Sequence, residues 1–212
     1  MIDKWLSKTK LNGFIEKVVK KLFYEKISAN SLTLLALITG LLSSLSIFLS
    51  GVLIWEIELI ICAVSLMILS FFLDVLDGAL ARIEGPTIFG GILDIFSDRT
   101  VEVLLIISLV SLDQKYLMWP GIFSLGSIIL CITMFLLIGG AVKAQEIEET
   151  KKVIYYRKSL MERGETFILL LLITVIVPWR ALTLWIFAFL VFLTAILRLR
   201  DAYLLLKNNN NS

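Results

Sequence analysis

The stretch FFLDVLDGALARIEGPTIFGGILDIFSDR, Phe71 to Arg99, places four aspartates, Asp74, Asp77, Asp94 and Asp98, in a chain that is otherwise mostly apolar. A carboxylate at membrane depth is costly unless it is paired, protonated or bound to a cation, so a cluster of them marks a functional site. Asp74 and Asp77 stand three residues apart and Asp94 and Asp98 four apart, so on helices each pair shares one face, with Cβ atoms about 5–6 Å apart. Between the pairs, Gly85 and Pro86 break the helix and Thr87 offers a cap to the next one. The spacing predicts two helices joined by a short loop, each acidic beside that loop and apolar at its far end. All four acids then lie at one membrane face.

Working outward, the chain has 212 residues, 58% of them hydrophobic and 18% charged, with a mean hydropathy of +0.93. That is too apolar for a soluble domain and predicts an all-helical integral membrane protein. The first spanning helix is expected over Ser31–Trp55, the second over Ile57–Arg82, the third over Phe89–Leu112 and the fourth over Leu117–Val142. A fifth covers Thr166–Trp179 with a few preceding residues, and a sixth Ala181–Leu197, with Pro178 and Trp179 at the turn between them. Residues 27–207 thus form one six-span domain, and residues 208–212 a polar tail. Residues 1–26 carry Leu11, Phe14, Ile15, Val18, Leu22 and Phe23 at helical spacing among lysines, the pattern of an amphipathic helix lying on the membrane surface. Those lysines interrupt any continuous apolar core of a signal peptide, so the N-terminus is expected to be retained.

Six spans put both termini on one side, together with Arg82, the segment Lys143 to Arg163 and the C-terminal basic residues. The positive-inside bias places that side, and the acids with it, in the cytoplasm. A net charge of +2, with no basic run interleaved with aromatics, gives no reason to expect a nucleic-acid partner. Cys62 and Cys131 sit alone in apolar segments and read as small core residues.

Histidine is absent, so acid–base and metal chemistry must rest on carboxylates. Carboxylate oxygens without imidazole or thiolate favour hard cations such as Mg²⁺, Mn²⁺ or Ca²⁺. Two ions would balance four acids better than one. Gly78 and Ala81 follow Asp77, and Gly90 and Gly91 open the third span, small residues that admit another helix or a bulky ligand. Arg82 and Arg99 flank the acids, and a cation site beside a guanidinium suits a diphosphate. The competing reading is a structural bundle in which the acids pair with these arginines, but two arginines do not balance four acids.

The stretch resembles the signature of the CDP-alcohol phosphotransferases, D-x2-D-G-x2-A-R followed by G-x3-D-x3-D, matched by Asp74, Asp77, Gly78, Ala81, Arg82, Gly90, Asp94 and Asp98. The resemblance implies a six-span bundle with a preceding interfacial helix, a cytoplasm-facing site and a homodimer. It implies transfer of a phosphatidyl-type group from a CDP-linked lipid, CDP-diacylglycerol or its archaeal equivalent, to a water-soluble alcohol, with release of CMP. By the same likeness Asp74, Asp77, Asp94 and Asp98 bind Mg²⁺ or Mn²⁺, with Asp98 also the general base. Asp77, Gly78, Ala81 and Arg82 line the CDP pocket. Asn30 resembles the asparagine of a Pro-Asn pair that opens the family's first span, with Ala29 in the proline's place.

The acceptor is the open choice. Lys143, Arg157 and Arg163 fall between the fourth and fifth spans on the acid side and are candidate contacts for inositol phosphate or glycerol phosphate, Arg163 first among them. The alternative is a solvated basic loop and an acceptor such as serine or another small alcohol. A divalent-cation transporter or channel is the competing function, but it predicts acids spread through the membrane depth rather than gathered at one end. A scaffold with an inactivated site is a further reading, and the presence of every motif acid argues against it.

Overall fold

Each helix begins and ends where local chemistry dictates. The computed structural model describes residues 19–21, 23, 24, 26–148 and 163–209. From Ala29 onward six α-helices follow one another: α1 (Ala29–Ser50), α2 (Glu56–Glu84), α3 (Ile88–Leu112), α4 (Gln114–Glu148), α5 (Arg163–Val175) and α6 (Arg180–Asn209), with a 3-10 turn at Val177–Trp179. Ser28 caps α1 by accepting from Ser31 N, and Thr87 caps α3 by accepting from Gly90 N at 3.0 Å. Gly85 ends α2 with φ at +97°, a backbone region closed to most side chains.

Among the described residues, four segments are long and apolar enough to cross a membrane: Ala29–Ser50, Glu56–Glu84, Gln114–Gly140 and Val177–Leu204. α3 has 25 residues but carries Asp94, Asp98, Arg99 and Glu102 between its second and fourth turns, and the apolar part of α5, Gly164–Val175, is short. Boundaries shift from the sequence expectation at several helix ends, among them α5, which stops at Val175 instead of Trp179, and α6, which runs to Asn209 instead of Leu197. α1 stops at Ser50 instead of reaching Trp55, because Gly51 turns its N–H back to Leu49 and Phe48 carbonyls and Glu56 and Glu58 then open α2, where acids complement the helix dipole. α4 runs past Val142 to Glu148, since Ala, Lys, Gln and Glu are strong helix formers.

α1 is the hub of the acid-bearing half. α2 and α3 each pack along it, while α4 pairs with α6, and α5 meets α2, α3 and α6. The seams of α1 are made by small residues that donate across them: Ser70 Oγ to Ala36 O at 2.7 Å, Ser43 Oγ to Ala63 O at 2.8 Å, and Ser44 Oγ bonded to Ser108 Oγ at 2.8 Å. Gly40 lies in the same seam, where an added Cβ would meet the Val101 methyls at 2.5 and 2.8 Å and Ser70 Oγ at 3.1 Å. A β-branched valine cannot swing both methyls away. Gly40→Ala is therefore expected to destabilise the bundle by about 1–3 kcal/mol, read as a lowered midpoint of thermal unfolding in detergent.

Away from the acids, Ile47, Met67, Ile106, Leu109, Ile173, Leu184 and Phe187 form an apolar core that joins all helices but α4, which adds Leu117 and Ile128. Arg180 closes that end: its buried guanidinium donates from Nε to Ile173 O at 3.2 Å and from Nη2 to Thr174 O at 3.1 Å, satisfying carbonyls at the end of α5. Near the acid end, Val19 is fully buried against Leu32, Leu76, Ala79 and Leu80, with Phe23 and Tyr24 packed beside them. The rest of the expected interfacial helix, residues 1–18, lies outside the described residues. Cys131 is half-buried, but Cys62 sits on an exposed face of α2, so it is not the core residue its apolar context predicts; a helix with 29 residues in a bilayer turns much of its apolar surface to lipid.

Candidate active site

The acids meet because α2 and α3 share a partner. Both lean on α1, leaving a space between their loop-proximal ends, and the i,i+3 and i,i+4 spacings turn the carboxylates into it. Oxygens of Asp74, Asp94 and Asp98 all lie within 4.8 Å of one another. Oxygens around one hard cation are separated by up to about twice a metal–oxygen distance of ~2.0–2.6 Å. The three carboxylates therefore fit a divalent ion, and the donor set, oxygen throughout, fits Mg²⁺ or Mn²⁺. Asp77 is buried, with 4% of its surface exposed, and stands outside this group of three.

Two cavities adjoin the acids. The larger, about 690 Å³, is lined by Asn30 from α1, by Asp74, Asp77, Gly78, Ala81 and Arg82 from α2, and by Gly90 and Asp94 from α3. It has the size of a small-molecule site and brings together every residue that the family resemblance assigns to CDP. At its rim α1 meets the loop-side end of α2 through one hydrogen bond and approaches the start of α3 closely. Glu84 Oε2 accepts from Ala29 N at 3.2 Å, and Asn30 Oδ1 reaches over Gly90, where an added Cβ would sit 3.1 Å from it and 2.9 Å from Thr87 Oγ1. At Gly78 an added Cβ would meet only Arg82 Nη1, at 3.7 Å.

The smaller cavity, about 60 Å³, lies deeper and is lined by Asp74, Ser97, Asp98 and Glu102 among apolar residues of α1, α2, α3 and α5. Asp74 thus borders both spaces, Asp94 the larger and Asp98 the smaller. Glu102 is a residue the motif does not announce. It is 7% exposed, pairs through Oε2 with Arg99 Nη1, and accepts through Oε1 from Thr166 Oγ1 at 3.1 Å. The signal available in the sequence was its spacing: Asp94, Asp98 and Glu102 recur every four residues on one helix face. Arg99, placed at the edge of the site by its sequence position, is held by this pair. Lys143 falls in α4 and Arg163 opens α5, but their side chains, and all of Arg157, lie outside the described residues.

A family model for CDP-alcohol phosphatidyltransferase matches residues 26–197. No curated protein sequence matches the chain. Among solved structures, the phosphatidylinositol phosphate synthase PgsA1 of Mycobacterium tuberculosis with CDP-DAG bound superposes with a TM-score of 0.70 at 17% identity, over 89% of this chain and 93% of that one. The same enzyme in complex with manganese and citrate gives a TM-score of 0.69 at 18% identity, over 89% and 88% of the two chains. The likeness in fold and the family match over nearly all the described helices agree with the acid geometry, and the chain belongs to the CDP-alcohol phosphatidyltransferase family as an enzyme of that class.

Proposed function

We propose that this enzyme transfers a phosphatidyl-type group from a CDP-linked lipid to a phosphorylated polyol, inositol phosphate or glycerol phosphate. The observation that carries the reading is the convergence of Asp74, Asp94 and Asp98 beside a cavity lined by Asn30, Asp77, Gly78, Ala81 and Arg82. The choice of acceptor draws on the fold neighbour's activity as a phosphatidylinositol phosphate synthase and on Lys143 in α4, Arg163 at the start of α5 and Arg157 in the sequence between them. The protein is proposed to span the bilayer six times as a homodimer, with the termini and acids toward the cytoplasm, the side rich in Lys and Arg.

Asp74, Asp77, Asp94 and Asp98 would hold the divalent cations, two Mg²⁺ or Mn²⁺ ions for four acids. Such ions, when bound, would neutralise charge on the diphosphate and polarise it toward attack. Arg82 at the rim meets phosphate oxygens as a bidentate donor, and Gly78 leaves room for the nucleotide. The acceptor hydroxyl oxygen forms a bond to the phosphorus nearer the lipid as the bond from that phosphorus to the bridging oxygen breaks. CMP leaves with that oxygen, and the hydroxyl proton passes to Asp98. A cation conduit fits less well, because beyond Glu102 the bundle is closed by the apolar core around Met67, Leu105, Ile106 and Leu109.

The test is purified enzyme with radiolabelled CDP-diacylglycerol, Mg²⁺ or Mn²⁺ and a panel of inositol phosphate, glycerol phosphate, serine and unphosphorylated alcohols. CMP release with one phosphorylated polyol is expected; turnover with serine alone would overturn the acceptor class. Because the space at Gly78 is free of protein atoms that a methyl would strike, Gly78→Ala is expected to keep or raise thermal stability, as alanine favours helix by up to about 1 kcal/mol. Its KM for CDP-lipid should rise about tenfold. An unchanged KM would remove Gly78 from the pocket.

A further inference from the structure

We infer that Glu102 and Thr166 are positioning residues for the acceptor, fastening the first turn of α5 to the acid face of α3. Glu102 stands one helical turn deeper than Asp98 on α3, and its Oε1 accepts the Thr166 hydroxyl at 3.1 Å, with both residues 7% exposed. Arg99 holds the other carboxylate oxygen. A second tie runs beside the first: the ring of Phe167 stacks on Phe71 of α2, with centroids 4.3 Å apart and planes 12° from parallel. Phe71 lies one turn before Asp74, and both rings border the small cavity shared by Asp74 and Asp98. The opening of α5 is thus fixed to both acid helices at the depth of the acids, by a hydrogen bond on one side and a ring stack on the other.

That location matters because α5 begins at Arg163, three residues before Thr166, and supplies Phe167 and Leu170 to the wall of the cavity that Asp98 borders. The two ties set that wall relative to Asp98, where the acceptor hydroxyl must arrive. Glu102 is buried although its partner Arg99 is partly exposed, and within a membrane domain buried ionisable residues mark function. Glu102 is offset by one turn from the acid group and lines only the inner cavity, so its role is exerted through Thr166 rather than on the nucleotide.

The inference rests on the transferase reading above, and the experiment separates the two. Thr166→Val removes the hydroxyl at constant volume. It is expected to raise the KM for the acceptor by about tenfold or more, the scale of one lost hydrogen bond to a charged group, while the KM for CDP-lipid stays within twofold. Thr166→Ser should restore the parent value. Equal shifts in both KM values, no shift in either, or failure of serine to rescue would each overturn the positioning role. A parent enzyme that releases no CMP with any acceptor refutes the transferase reading. The tie is then judged by hydrogen exchange, where faster exchange confined to residues 164–170 in Thr166→Val supports it and an unchanged profile rejects it.

Discussion

Asp98→Asn is expected to lower the rate of CMP release by about 10²–10⁴-fold, the usual worth of a positioned general base, with CDP-lipid binding changed little. The asymmetry follows from where the residue sits. Asp98 borders the inner 60 Å³ cavity and is absent from the lining of the 690 Å³ cavity that would receive the nucleotide. Asparagine keeps the shape and one oxygen but cannot take up the acceptor's proton. The measurement is single-turnover CMP release alongside equilibrium binding of a CDP-lipid. Retained turnover in Asp98→Asn would remove it as the base and return the role to Asp77, which is buried and stands outside the converging three.

Asp94→Asn is expected to have an effect at least as large, with a different signature. Asp94, like Asp74, is a member of the converging three that also lines the larger cavity, so its loss should weaken both cation and substrate. A carboxylate neutralised in a group of three removes one of the negative charges that make the site attractive to a divalent ion. Several kcal/mol of charge stabilisation are at stake, and each 1.4 kcal/mol is about a factor of ten. We expect Mn²⁺ affinity, followed by electron paramagnetic resonance, to fall at least tenfold and CMP release by about 10³-fold or more. Raising Mn²⁺ should recover part of the activity in Asp94→Asn and none in Asp98→Asn. Identical responses of the two variants to Mn²⁺ would contradict the division of roles.

Much of the fold was legible in the chain because membrane helices are specified locally. With no water to satisfy backbone groups, an apolar run has to be helical, and its breaks are written in Gly85, Pro86 and the cap Thr87. α3 was legible almost to the residue, Phe89–Leu112 against Ile88–Leu112, whereas α5, expected over Thr166–Trp179, mixes a loop boundary with a short apolar run and ends at Val175. The end of α1 was misplaced because the uncharged residues Gly51 to Trp55 look apolar, while the backbone of Gly51 turns the chain.

The sequence by itself determined which acids share a helix face. Spacings of three and four residues must put Asp74 with Asp77, and Asp94 with Asp98, on common helix faces, and the lack of histidine leaves oxygen as the ligand atom. Only the tertiary structure decided how the pairs divide: Asp74, Asp94 and Asp98 converge, Asp77 stands outside them and lines the larger cavity, and Glu102 joins the inner wall. The physical reason is that the gap between α2 and α3 is set by neither helix. It is set by the close approach of α1 to both, through Ala36, Gly40, Ser43 and Ser44, and by α5 reaching in with Thr166 and Phe167. Contacts between distant segments leave no period in the sequence.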